Sequence, residues 1–174
     1  MINSKFELIR WSDTFACKIK LIDDQHKNLV NLVNDMFNHV TGNEEEEREY
    51  FKRIILEAVQ YIKVHFTTEE KIMKATKFSG YMEHKICHEN FNHNVAKTIS
   101  CSTTGNRLSL FSFTKFLKDW ILSHIAVMDK QYFVYLRKIA TCKDDGKLSI
   151  TMNDIHSAIN NKKNKPSPIL RHIA

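Results

Sequence analysis

The sequence predicts an all-α protein: an up-down-up-down four-helix bundle with an N-terminal arm and a short C-terminal extension. Three observations predict it. The chain of 174 residues holds 4 Gly and 2 Pro, and both prolines, Pro166 and Pro168, lie near its end, so no proline interrupts residues 23–140. Within that stretch apolar residues recur close to the 3.6-residue period of a helix face. Four such segments are separated by short breaks, and short connections favour antiparallel neighbours. The length suits one domain, residues 1–141, with an appendage over 142–174 that is partly helical or mobile.

The elements follow in order. Residues 1–22 read as an irregular arm with apolar anchors at Phe6, Trp11 and Phe15. The first helix starts near Asp23 and Asp24, acids suited to the positive end of a helix. Its stripe runs His26, Leu29, Val30, Val33, Phe37 and Val40, and Thr41-Gly42-Asn43 ends it with Gly42 as a left-handed cap. The second helix opens on Glu44-Glu45-Glu46-Glu47, an acidic run better read as a favourable dipole end than as an interaction patch. Its inner face is Phe51, Ile54, Ile55, Ala58, Ile62, His65, Glu69, Ile72 and Met73, and Phe78-Ser79-Gly80 breaks it. The third carries Tyr81, His84, His88, Phe91 and Val95, followed by a loop at Ser102-Thr103-Thr104-Gly105-Asn106. The fourth spans about residues 108–140 with Phe113, Phe116, Leu117, Trp120, Ile121, His124 and Met128 inward. Beyond it, Thr151 to Asn161 reads as a short helix before a polar tail.

Composition excludes several classes. Cys17, Cys87, Cys101 and Cys142 are scattered without a C-x-x-C pair, which is neither a disulfide framework nor a zinc-ribbon spacing. Free thiols in a reducing cytoplasm are the expected state. No apolar run approaches the roughly 18 residues of a membrane span. The start, Met1-Ile2-Asn3-Ser4-Lys5-Phe6-Glu7, lacks the basic-then-apolar pattern of a signal peptide, so a soluble, unprocessed chain is expected. The net charge of +6 collects late, at Lys162, Lys163, Lys165 and Arg171, and reads as a solvated tail rather than a nucleic-acid surface.

The chemistry lies in five histidines and two carboxylates on or beside the inner faces: His26, His65, Glu69, His84, His88, His124 and Asp129. An imidazole pointed into a core is costly unless something satisfies it, and a shared metal centre satisfies all of them at once. His65 and Glu69 are four apart, as are His84 and His88, so each pair faces one way from one rigid element. A nitrogen-rich set with two carboxylates suits iron, manganese, cobalt or zinc, whereas calcium wants oxygen and copper(I) sulfur. Seven donors are too many for one first-row ion. Two ions bridged by Glu69 and Asp129 fit the count, one with three histidines and one with two, the latter a donor short. One spacing resists this reading: His124 and Asp129 are five apart, about 140° around an ideal helix.

The remaining histidines, His39, His93, His156 and His172, lack partners at ligand spacing and read as surface or structural. The run from His88 to His93 is not the H-E-x-x-H metalloprotease motif, because its second histidine falls one residue late. Phe66, Trp120, Ile121 and Ile125 neighbour the donors and serve as plain core or as an apolar wall that keeps water from a bound ligand. Cys87, between two donors, reads as an inert buried residue rather than a redox sensor.

Four segments carry a resemblance. Ile22-Asp23-Asp24-Gln25-His26-Lys27, His65-Phe66-Thr67-Thr68-Glu69-Glu70, His84-x-x-x-His88 and Trp120-Ile121-Leu122-Ser123-His124-Ile125-x-x-x-Asp129-x-x-Tyr132 closely resemble the hemerythrin family in its bacterial form, and Trp11 matches its arm aromatic. The similarity covers about residues 11–140. It implies a non-haem di-iron centre, two iron ions (Fe2+/Fe3+) with an oxo or hydroxo bridge, that binds O2 reversibly. By that likeness His84, His88 and His124 hold one iron, His26 and His65 the other, and Glu69 and Asp129 bridge. An oxygen carrier, store or sensor follows, not an enzyme. The competing reading is a di-iron redox enzyme such as a ferroxidase, an oxidase or a peroxide- or nitric-oxide-handling protein. Ferritin-like di-iron enzymes repeat E-x-x-H, which occurs nowhere in this chain, and that favours reversible binding.

Overall fold

The computed structural model describes residues 6–17, 19–103 and 109–141. The predicted extension over 142–174, its short helix at 151–161 and loop residues 104–106 lie outside the described residues. The helices are α1 (Lys20–Asn38), α2 (Glu44–Ala75), α3 (Tyr81–Thr103), α4 (Leu110–Ser123) and α5 (Lys130–Thr141). A π-helical turn, His124–Asp129, joins α4 to α5, so these three form one rod. The result is an up-down-up-down bundle of four rods, with no strand among the described residues. No helix among them is long and apolar enough to cross a membrane.

Local chemistry sets the ends. Asn43 caps α2 by accepting from the amides of Glu45 and Glu46, and the Glu47 carboxylate accepts from the amides of Thr41 and Gly42 at 2.9 and 2.7 Å. The acidic run thus completes a helix start. Ser109 caps α4 by accepting from the Ser112 amide, which is why the fourth rod begins at Leu110. Gly42 does have a positive φ of 83°, but α1 stops earlier, at Asn38. There the Asp35 carbonyl is taken by His39 Nδ1 at 2.8 Å while the His39 amide turns to Met36. α2 ends in a Schellman turn: the Phe78 amide bonds Met73 O, and Lys77 occupies the left-handed position at φ 54°. The break therefore starts one residue before Phe78. Gly80 follows where a Cβ would come within 2.8 Å of the Phe78 ring.

The arm is tied down rather than loose. Asn34 and Asn38, one turn apart on α1, each hold an arm residue through both backbone groups, Ile9 and Phe6 respectively, at 2.8–2.9 Å. The Cys17 amide donates to Asp23 at 2.7 Å, and Lys27 lies over the Trp11 ring.

Two apolar clusters bracket a polar layer. The larger includes Leu29, Val33, Met36, Ile54, Ala58, Ile62, Phe66, Phe91, Phe113, Leu117 and Ile121. The smaller holds Cys17, Ile22, Ile72, Met73, Tyr132, Phe133 and Leu136. The α1 stripe differs from the expected one: Met36 is fully buried, whereas Phe37 is partly exposed and packs on Phe6. On the fourth rod the π turn adds a residue to the cycle, so Met128 leaves the inner line and Asp129 takes it.

Candidate metal centre

His26 comes from α1, His65 and Glu69 from α2, His84 and His88 from α3, and His124 and Asp129 from the π turn. All seven are at most 2% exposed. Their donor atoms form two groups, Glu69, His84, His88 and His124, and His26, His65, Glu69 and Asp129; within each, the atoms lie within 4.8 Å of one another. Asp129 Oδ1 sits 3.1 Å from His124 Nε2 and 3.3 Å from His84 Nε2, while Oδ2 sits 3.2 Å from His26 Nε2. Glu69 Oε2 faces His88, His84 and His65 at 3.4, 3.5 and 3.7 Å, and Oε1 faces His26 at 3.8 Å. Each carboxylate thus faces imidazoles of both groups.

The π turn accounts for the awkward spacing of His124 and Asp129. A hydrogen bond closed from i to i+5 brings the fifth residue back toward the first, where an α-helix would leave it on the flank. π turns of this kind recur at functional sites.

Several buried polar atoms here have no hydrogen-bond partner: both oxygens of Glu69 and of Asp129, both ring nitrogens of His26, and Nε2 of His84. Leaving a buried group unsatisfied costs about 1–3 kcal/mol each, more when charged. His88 Nε2 and His124 Nε2 also approach to 3.1 Å, two imidazole nitrogens aimed at one region. Orphaned donors converging on a shared volume, with nitrogen and carboxylate chemistry, fit metal ions of the iron-to-zinc range.

Electrostatics point the same way. Burial opposes a proton on His26 and His84, yet the Asp129 and Glu69 carboxylates override it and hold both rings up at about 9. His124 is likewise raised against its burial, chiefly by Asp129. Against their own burial, Glu69 and Asp129 are held well below the usual carboxylate range by the imidazoles around them. His65 is the exception: burial outweighs Glu69 and takes it down to about 4. Two buried anions here demand compensating positive charge, from protons or from metal ions.

Three supporting residues were not singled out from sequence. His65 Nδ1 faces Gln25 Oε1 at 3.2 Å, Gln25 Nε2 donates to Thr68 Oγ1 at 3.2 Å, and Thr68 Oγ1 donates to the Val64 carbonyl. His88 Nδ1 faces Glu70 Oε1 at 3.2 Å. The available signal was the rule that a ligating histidine engages its second nitrogen with an outer partner, together with polar residues directly beside His26 and Glu69.

The four wall candidates are placed unequally. Phe66 stacks on the His88 ring at 3.7 Å and 5°, and also reaches His65 at 5.9 Å. Trp120, half-buried, stacks on His124 at 4.3 Å. Ile121 and Ile125 are buried in the cluster that holds Phe66. On the far side, Phe133 lies 6.0 Å from His26, and the buried Tyr132 hydroxyl has no partner. His39 stacks on Tyr50 outside the cluster and His93 is exposed, while His156 and His172 lie outside the described residues. Cys87 departs from the expected burial: it is half-buried, and the neighbouring His124 ring lowers its thiol.

A helical bundle closed around a buried histidine–carboxylate cluster defines the class: a cation-binding all-α domain. The family model described as hemerythrin HHE cation binding domain matches residues 17–136, and the chain belongs to the hemerythrin family. It is 28% identical over 127 residues to bacteriohemerythrin of Methylococcus capsulatus, covering 72% of this chain and 94% of that one. It is 26% identical over 122 residues to myohemerythrin of Sipunculus nudus, covering 70% and 88%. A crystal structure of wild-type hemerythrin superposes with a TM-score of 0.63 at 26% identity, covering 74% of this chain and 98% of that one.

Proposed function

We propose that this chain binds two iron ions through His26, His65, Glu69, His84, His88, His124 and Asp129, and through them binds O2 reversibly as a carrier, store or sensor rather than as an enzyme. Residues 1–141 form the functional unit on this reading, and 142–174 an extension to it. The observation that supports it most is the carboxylate pair: Glu69 and Asp129 are fully buried, all four oxygens lack a hydrogen bond, and both face imidazoles of the two donor groups. The free thiols of Cys17 and Cys87 fit a reducing compartment such as the cytoplasm.

The ions would supply paired one-electron redox chemistry, and the protein's own residues do the rest. The Gln25 and Glu70 acceptors keep the proton of His65 and His88 on Nδ1, so each Nε2 lone pair points inward. Phe66 and Trp120 lock the His88 and His124 planes by stacking. The apolar faces of Phe66, Ile121 and Ile125 exclude water, and with it the protons that would expel a bound ligand in reduced form. Three histidines crowd one end of the cluster and two the other, and the less crowded end is where a small molecule has room.

Anaerobic optical titration of the reduced, iron-loaded protein with O2, followed by evacuation, tests this. Colour that develops with O2 and disappears under vacuum supports reversible binding. Irreversible oxidation with release of peroxide at each turnover overturns it in favour of a redox enzyme, and fewer than two irons per chain overturns the di-iron reading.

A further inference from the structure

Two outer contacts distinguish the halves of the cluster. In the three-histidine half, His88 Nδ1 meets a carboxylate, Glu70 Oε1, at 3.2 Å, with the His88 ring fully buried and Glu70 22% exposed. In the two-histidine half, His65 Nδ1 meets a neutral amide, Gln25 Oε1, at the same 3.2 Å. Gln25 is 9% exposed, and its orientation is set by its neighbours: Thr68 Oγ1 already donates to Val64 O, so it must accept from Gln25 Nε2, which leaves Oε1 for His65. The contacts match in length and differ by a full charge. A carboxylate behind an imidazole raises the basicity of the inner nitrogen more than an amide does, because the developing positive charge on the ring is met by an anion.

We propose that Glu70 and Gln25 are positioning residues that make the two metal halves unequal, the Glu70–His88 half holding its ion more tightly and the Gln25–His65 half releasing its ion first. The inference rests on the two-metal reading above. Glu70 and Gln25 touch no reacting atom; they act through His88 and His65. The same pairing fixes both inner lone pairs, so exchanging amide for carboxylate changes charge while keeping shape and an acceptor behind each imidazole. In Gln25→Glu the Thr68 hydroxyl turns from Val64 O to donate to the new carboxylate.

The test strips the full-length protein with a chelator, reloads it anaerobically with two equivalents of cobalt(II), and follows loss to excess EDTA by visible absorption and metal content. The wild type should lose its ions in two phases of one equivalent each. Glu70→Gln should accelerate the slow phase about ten-fold or more and spare the fast one. Gln25→Glu should slow the fast phase and spare the slow one. The exchange variant carrying both substitutions should invert the order, with the absorption bands of the two phases swapped, an outcome that a merely structural role does not produce. All three changes are near-isosteric, and an unchanged far-ultraviolet helical spectrum confirms the fold. A two-ion wild type whose phases move together, or not at all, in the single variants overturns the inference alone. A wild type that takes up no second ion overturns the two-metal reading, and the inference with it.

Discussion

Two layers of the same four rods are equally buried and opposite in character. Val33, Met36, Ala58, Phe113 and Leu117 are fully enclosed by other apolar side chains. Two to three helical turns along, His26, Glu69, His84 and Asp129 are just as enclosed, yet much of their hydrogen-bonding capacity is unmet. Burying a large apolar side chain stabilises by about 1.5–3 kcal/mol, whereas an unsatisfied buried polar group costs a similar amount. Burial alone therefore does not mark a functional layer; unmet capacity within it does. The apolar layer holds the rods together, and the polar layer stays ready for a ligand that the chain does not encode.

The largest expected effect is at Glu69, which belongs to both donor groups. Glu69→Ala should take bound metal from two ions per chain to nearly none by elemental analysis while the helical spectrum persists, since the apolar layer is untouched. Metal retained at the wild-type level would break the contrast. The complementary change is Phe113→Ala in the apolar layer, which should cost about 3–5 kcal/mol in urea unfolding and leave metal stoichiometry unchanged below the transition.

Acidity sharpens the same contrast, because only the polar layer titrates. In the metal-free protein, burial works against protons on His26 and His84, but Asp129 and Glu69 raise both from 6.5 to about 9. Raised values contribute stability that is complete below 6.5 and lost as the pH climbs through about 9. On the acid side, burial of His65 lowers it to about 4, so stability falls as the pH drops from 6.5 toward 4. The depressed values of Glu69 and Asp129 extend that loss further into acid. The metal-free melting temperature should therefore peak near the ordinary histidine value and decline toward pH 9, while metal uptake, which displaces the same protons, should strengthen over that rise. A flat melting profile on the alkaline side would show that those protons are not held. The smallest effect lies far from either layer: Lys77→Gly, at the left-handed end of α2, should stabilise by about 1 kcal/mol in the same urea assay, since a glycine there carries no Cβ strain.

Much of the architecture was legible along the chain because helical periodicity is a local property. The Glu44 start, the inward line of Ile54, Ala58, Ile62, His65 and Glu69, and the face shared by His84 and His88 all follow from spacing within one helix. The errors lie where neighbours decide. Phe37 matches the α1 period as well as Met36 does, but the arm offers Phe6 to cover it, so Met36 takes the core position. The fourth rod reads as one α-helix, and nothing in the run from His124 to Asp129 announces a π turn.

The chain by itself determined four amphipathic rods and the donor types they carry, because a side chain's direction on a helix depends only on its own position. Only the tertiary structure decided that a π turn brings Asp129, a donor already expected from the chain, into line with His124, that Gln25 and Glu70 stand behind His65 and His88, and that Tyr132 and Phe133 close the far side. Those outcomes depend on distances between different rods, and such distances are set by how the rods pack together, which no periodicity along one helix records.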